Sequence, residues 1–147
     1  MVFSQLIPAA LWLVAPATLS AADLPIPSAL RMLGFGIALG ALGLLWWVHA
    51  SLGAEFSPRL ELRDDHTLIQ HGPYRWVRHP MYTTGFLLIV GYGLLAANGV
   101  VLGLPLLALL LLVVLRLPDE EAMLARRFGA DFDAHRRRTG RFVPRLW

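Results

Sequence analysis

The run Leu106-Leu107-Ala108-Leu109-Leu110-Leu111-Leu112-Val113-Val114-Leu115 constrains this chain more than any other feature. Consecutive apolar residues coat every side of a helix, whereas a helix in a soluble protein buries one face and wets the other. The run lies within a longer apolar stretch, Gly99 to Leu117, close to the roughly 20 residues that cross a bilayer core. Three further stretches resemble it: Val2 to Leu19, Ala29 to Ala50 and Tyr82 to Ala97. Composition agrees, because 56% of the 147 residues are hydrophobic and 16% charged, against about a quarter charged in a soluble domain. Disorder is excluded, and the same composition argues against an ordinary water-soluble globule. The expected fold is all-α: an integral-membrane bundle of about four transmembrane helices with a cytoplasmic C-terminal amphipathic helix, one domain over residues 1–147.

Only Ala96-Ala97-Asn98-Gly99 separates the third and fourth stretches, which predicts a tight antiparallel helical hairpin. Ser20-Ala21-Ala22 resembles a signal-peptidase site, but no Lys or Arg precedes it, so the first stretch is read as a retained span. Glycines such as Gly34, Gly36, Gly40 and Gly43 are read as close helix packing. Arginine placement sets orientation. Arg59, Arg63, Arg75 and Arg78 lie between spans two and three, and Arg126, Arg127, Arg136, Arg137, Arg138, Arg141 and Arg145 follow span four. The other side offers Asp23, Asn98 and Arg31. Both arginine-bearing segments are therefore expected on the cytoplasmic face of the inner membrane, in a multi-pass topology.

Arginine supplies all 13 basic residues, and there is neither Lys nor Cys. This excludes Schiff-base and P-loop lysines, cysteine nucleophiles, disulfides and thiolate metal sites. No metal site is expected, since His66, His71 and His79 lack helical ligand spacing and Asp64-Asp65 reads as a solvated loop. Arg136-Arg137-Arg138 follows a membrane span, so it is assigned to anionic lipid headgroups, with no nucleic-acid partner.

Two polar segments remain for chemistry. In the first, Gly72-Pro73 marks a turn, and Pro80 suits the first turn of span three while pushing His79 out of helical backbone. Arg75, Arg78, His79 and Tyr82 thus gather at a helix start, a setting that favours an anionic group. Trp76, Tyr74 and Tyr82 would equally form an interfacial aromatic belt. In the second segment, Pro118-Asp119-Glu120-Glu121 reads as the start of a new helix. On its wheel Glu121, Leu124, Phe128, Phe132 and His135 share one face, with Glu121 roughly 100° from Glu120. A carboxylate on an apolar stripe requires a positive partner. Arg116 is one candidate and a cationic ligand another, while Arg116 also reads as a snorkelling anchor.

Gly72-Pro73-Tyr74-Arg75-x-x-Arg78-His79-Pro80-x-Tyr82-x-x-Gly85, followed by Arg116-x-x-x-Glu120-Glu121-x-x-Leu124-x-x-x-Phe128-Gly129, resembles the isoprenylcysteine carboxyl methyltransferase family and the related phospholipid N-methyltransferases. The resemblance covers about residues 60–147; residues 1–58 match only as membrane helices. Family members usually carry tyrosines where Phe132 and His135 stand. The resemblance implies a membrane methyltransferase with S-adenosylmethionine as cofactor, contacted by His79, Tyr82, Glu120 and Glu121. It implies Arg116 and Glu121 as catalytic residues near the reacting centre. Arg75, Arg78 and Arg116 would hold polar groups of the substrate.

The expected reaction is carboxyl O-methylation of a lipophilic or lipidated acceptor, preferred over N-methylation of a phosphatidylethanolamine-type lipid. Membrane sterol and enone reductases share an arginine–proline–tyrosine segment and use NADPH. Against that alternative stands the Glu120-Glu121 pair, because a dinucleotide's phosphates would want basic groups there. A catalytically idle membrane scaffold is the remaining reading.

Overall fold

The structure, a computed structural model, describes residues 2–53 and 67–145. Arg59, Arg63, Asp64, Asp65 and His66 lie outside the described residues. Among the described residues five α-helices follow in order: α1 (Val2–Val14), α2 (Ser28–Leu52), α3 (Pro80–Ala96), α4 (Gly99–Phe128) and α5 (Ala130–Arg138). Short 3-10 turns occupy Pro16–Thr18, Ser20–Ala22 and Gly72–Arg75. The architecture is all-α, with no strand among the described residues.

Among the described residues two helices, α2 and α4, are by length and composition long and apolar enough to cross a membrane. The apolar α3 has 17 residues and extends about 25 Å at 1.5 Å per residue. The first expected span, Val2 to Leu19, is helical only over the 13 residues of α1, about 20 Å against a core of about 30 Å. Pro16 ends it, since proline removes an N–H donor and pushes the preceding residue, Ala15, out of helical backbone (φ −139°, ψ 62°).

The α3–α4 hairpin forms where the sequence places it. Ala97 takes a left-handed conformation (φ 52°), and its N–H closes α3 on the Gly93 and Leu94 carbonyls. Asn98 then caps α4, its side chain accepting from the N–H groups of Val100 and Val101. The same amide donates to the Leu19 carbonyl and to Asp23 Oδ1, both at 2.8 Å. Arg31 binds the Leu95 carbonyl nearby. Asp23, Arg31 and Asn98 therefore share one end of the bundle.

Helices α2 and α3 touch backbone to backbone at Gly34 and Gly91. A Cβ at Gly34 would stand 2.7 Å from the Gly91 oxygen, and one at Gly91 would stand 2.6 Å from the Ala38 nitrogen. Gly36, Gly40 and Gly43 were expected to pack closely too, but nothing lies within 4 Å of a Cβ built on any of them. They point along other sides of α2, whose single contact line to α3 passes through Gly34.

The expected helix start at Pro118 is also corrected. Helix α4 runs unbroken through Pro105 and Pro118 to Phe128. Leu117 is buried in a core with Tyr82, Ile89 and Leu109, and Glu120 and Glu121 engage the α3 N-terminus just beyond. Contacts on both sides of the proline thus hold the helix across its missing donor. The break comes instead at Gly129, whose positive φ of 48° turns the chain into α5. The face expected to run from Glu121 to His135 is consequently split between two helices.

Candidate functional site

The polar segments meet at the end of the bundle opposite Asn98. The turn Gly72–Arg75 docks on the end of α2: Gly72 has φ 57°, and a Cβ there would collide with the Ser51 side chain. Trp76 packs edge-on against Trp47, ring centroids 5.8 Å apart. From this base the chain enters α3 at His79-Pro80, which presents the His79 ring to α4.

The segment following α5 completes the wall. Gly140 N–H donates to the Trp76 carbonyl, while Arg78 and His79 N–H donate to the carbonyls of Gly140 and Arg141 at 2.9 and 3.1 Å. Thr83 Oγ1 donates to the Phe142 carbonyl at 2.6 Å, and the Phe142 ring lies against His79 and Tyr82. Residues 139–142 were not singled out from sequence for any site role. The readable signal was Gly140, where a Cβ would collide with the Val143 carbonyl.

Glu121 is the hub. Its Oε1 accepts from His79 Nε2 at 3.2 Å, Arg78 Nε at 3.4 Å and Arg141 Nε at 3.2 Å. Its Oε2 accepts from Arg141 Nη2 at 2.7 Å. Arg116 was a candidate partner for Glu121, but its Nε pairs with Glu120 Oε1 at 2.7 Å. In a continuous helix Glu120 is four residues on from Arg116 and faces it, whereas Glu121 lies about 140° away. Glu120 also accepts from the Tyr82 hydroxyl and stands 3.9 Å from His79 Nδ1. His79, Tyr82, Glu120, Glu121, Arg78 and Arg116 are thus brought together. Arg75 is not: it is exposed and stacks its guanidinium 3.7 Å from the centroid of the Trp76 ring. Tyr82 is buried, so it serves no aromatic belt.

Burial sets the titration of this cluster. It would raise the Glu121 carboxyl, but the hydrogen bond and charge of Arg141, then those of His79, hold it below the usual carboxylate range. Burial pushes His79 down, opposed by its bond to Glu121 and the charge of Glu120. Burial also lowers His135, helped by Arg78 and Arg138. The Tyr74 hydroxyl is pushed far up by burial and by Glu120. At neutral pH the site therefore holds an ionised Glu121 against Arg78 and Arg141, beside a neutral His79 imidazole. Beside it opens a groove of about 540 Å³, lined by Arg78, Arg136, Arg141, Phe142 and Arg145 among others.

The model of the isoprenylcysteine carboxyl methyltransferase (ICMT) family matches residues 32–126. The chain belongs to that family. It is similar to the nickel-cobalt-cadmium resistance protein NccN of Alcaligenes xylosoxydans xylosoxydans, 32% identical over 125 residues that make up 84% of this chain and 54% of that protein. It is also 31% identical to the protein-S-isoprenylcysteine O-methyltransferase of Tribolium castaneum over 84 residues, 57% of this chain and 30% of that one. Among solved structures, the eukaryotic intramembrane Ras methyltransferase ICMT matches with a TM-score of 0.70 at 26% identity, covering 97% of this chain and 50% of that chain. The chain thus spans about half or less of the length of these relatives. Family membership and the two long apolar helices make this a membrane protein.

Proposed function

We propose that this protein is an S-adenosylmethionine-dependent methyltransferase of the cell (inner) membrane, acting at its cytoplasmic face on the carboxylate of a lipophilic, isoprenylcysteine-like acceptor. The observation that carries the reading is the convergence of His79, Tyr82, Arg116, Glu120 and Glu121 where the apolar part of α4 ends. A lipid tail approaches such a site between helices, and a polar cofactor approaches from water.

The donor set fits the cofactor. Adjacent carboxylates suit hydroxyl and ammonium donors, arginines suit a carboxylate, and the Phe142 ring offers an apolar face beside them. His79, Tyr82, Glu120 and Glu121 would hold it. When bound, S-adenosylmethionine supplies a methyl group on a sulfonium, which a carboxylate can accept without a general base. The residues then have positioning and electrostatic work to do. Arg116, held by Glu120 with its side chain 30% exposed, orients the acceptor carboxylate without moving a proton. Glu121, kept ionised by Arg141 and His79, would offer a fixed negative charge to the cationic cofactor. His79, kept neutral by burial, fixes the Glu121 oxygen. Arg78 buttresses Glu121 from the α3 side and frames the groove with Arg136 and Arg141.

The test is incubation of the purified protein with methyl-labelled S-adenosylmethionine and a lipid extract. Label released by base as methanol identifies an ester. Base-stable label identifies an amine acceptor and overturns carboxyl methylation. Binding of NADPH but not S-adenosylhomocysteine overturns the methyltransferase.

A further inference from the structure

Arg78 and Arg141 both touch Glu121, but they are held differently. The Arg78 side chain is 10% exposed, and its Nη1 is pinned by the carbonyls of Thr139 at 2.6 Å and Arg136 at 3.1 Å. The Arg141 side chain grips both oxygens of Glu121 yet is 52% exposed. An ion pair with one partner half in water is weakly held. The backbone around Arg141 is tied down, since Gly140 and Arg141 accept from Arg78 and His79, and Gly140 donates to Trp76. The side chain alone is therefore the part able to turn.

The groove gives it somewhere to turn. Arg78, Arg136, Arg141 and Arg145 crowd one open groove of about 540 Å³, an excess of positive charge that an anionic group would neutralise. When Arg141 leaves, Arg78 and His79 still hold Oε1 of Glu121. Opening thus uncovers Oε2 without stranding a buried charge.

We propose that Arg141 is a side-chain gate on this site: paired with Glu121 it covers Oε2, and turned into the groove it binds a ligand carboxylate. Exposure of Glu121 and capture of the carboxylate then become one event. The inference rests on the methyltransferase reading, which offers two sources of that carboxylate, the amino-acid end of the cofactor and the acceptor itself.

Calorimetric titration of the full chain in detergent tests it, comparing wild type with Arg141→Ala. Two probe pairs differ at the carboxylate: S-adenosylhomocysteine against its decarboxylated analogue, and farnesylcysteine against its methyl ester. Loss of one charge-assisted contact weakens the acid of one pair about tenfold or more, while its carboxylate-free partner binds as tightly as to wild type or tighter. The pair that responds identifies the source. Equal weakening of both members, or no change in either acid, overturns the gate and leaves the methyltransferase standing. Wild-type protein that binds none of the four probes overturns both. If Arg141→Ala fails to fold, the same comparison on Arg141→Gln decides.

Discussion

Glu121→Gln separates the two adjacent glutamates. Glutamine keeps one acceptor oxygen and replaces the other with an NH₂ group. With its oxygen where Oε1 stands, it keeps His79 and Arg78 but presents a donor to Arg141 Nη2, erasing the 2.7 Å contact. Arg141 is 52% exposed, so its pair is worth about 0.5–1 kcal/mol, but Arg78, 10% exposed, also loses its counter-charge, a charge-assisted bond worth about 1.5–3 kcal/mol. Its two backbone carbonyl acceptors soften that loss, so the total is about 2–3 kcal/mol. Glu120→Gln gives up one pair with an arginine that is 30% exposed, worth about 0.5–1 kcal/mol. At this chain length 1 kcal/mol moves Tm by about 2–4 °C. Glu121→Gln should therefore melt about 5 °C below Glu120→Gln in tryptophan-fluorescence scans. Methyl transfer to lipid extract should fall about a hundredfold or more for Glu121→Gln and much less for Glu120→Gln. Equal losses in both variants, or a larger loss for Glu120→Gln, would refute the assignment of Glu121 as hub.

Three further outcomes follow from the same structure. Asn98→Ala removes a buried cap and the tie to Leu19 and Asp23, costing about 2–4 kcal/mol; hydrogen exchange around residues 19–24 should speed up, and unchanged protection there would refute the tie. Gly91→Ala drives a methyl against the Ala38 backbone and should cost about 1–3 kcal/mol, whereas Gly43→Ala, with nothing within 4 Å, should leave the melt unchanged or higher. In the folded protein His79 and Glu121 sit below their ordinary values of 6.5 and 4.5. The unfolded chain thus takes up protons first as pH falls, and stability declines below about 6.5 for His79 and again below about 4.5 for Glu121. In His79→Gln the upper part of that decline should shrink to what the buried His135 still contributes; an unaltered profile would exclude His79 as a source.

Features carried by local chemistry were legible. The long apolar runs of α2 and α4, the start of α3 at Pro80 and the tight hairpin at Ala96-Ala97-Asn98-Gly99 each depend on a few adjacent residues, and each formed. Close packing at Gly34 was readable only in kind. Which glycine touches α3 depends on the rotation of α2, and its glycines at 36, 40 and 43 look the same in sequence. Arg141 was not legible as a site residue, because its role comes from the pairing of residues 76–79 with residues 140–141 across more than sixty positions.

The charge partition of the site follows from one backbone decision that local rules got backwards. Proline starts helices and glycine is easily passed over, so Pro118 read as a beginning and Gly129 as an interior residue. A helix survives a proline when tertiary contacts hold both flanks, as Leu117 and Glu121 do here. It does not survive a residue at φ 48°. Continuity through Pro118 puts Arg116 in i,i+4 register with Glu120, which turns Glu121 toward His79 and Arg78. The break at Gly129 folds α5 back so that the chain after it delivers Arg141 to the same carboxylate. A new helix at Pro118 would have freed Arg116 from that register, and neither glutamate would have had an assigned cation. The division into an Arg116–Glu120 pair and a Glu121 hub is therefore a product of where α4 does not stop.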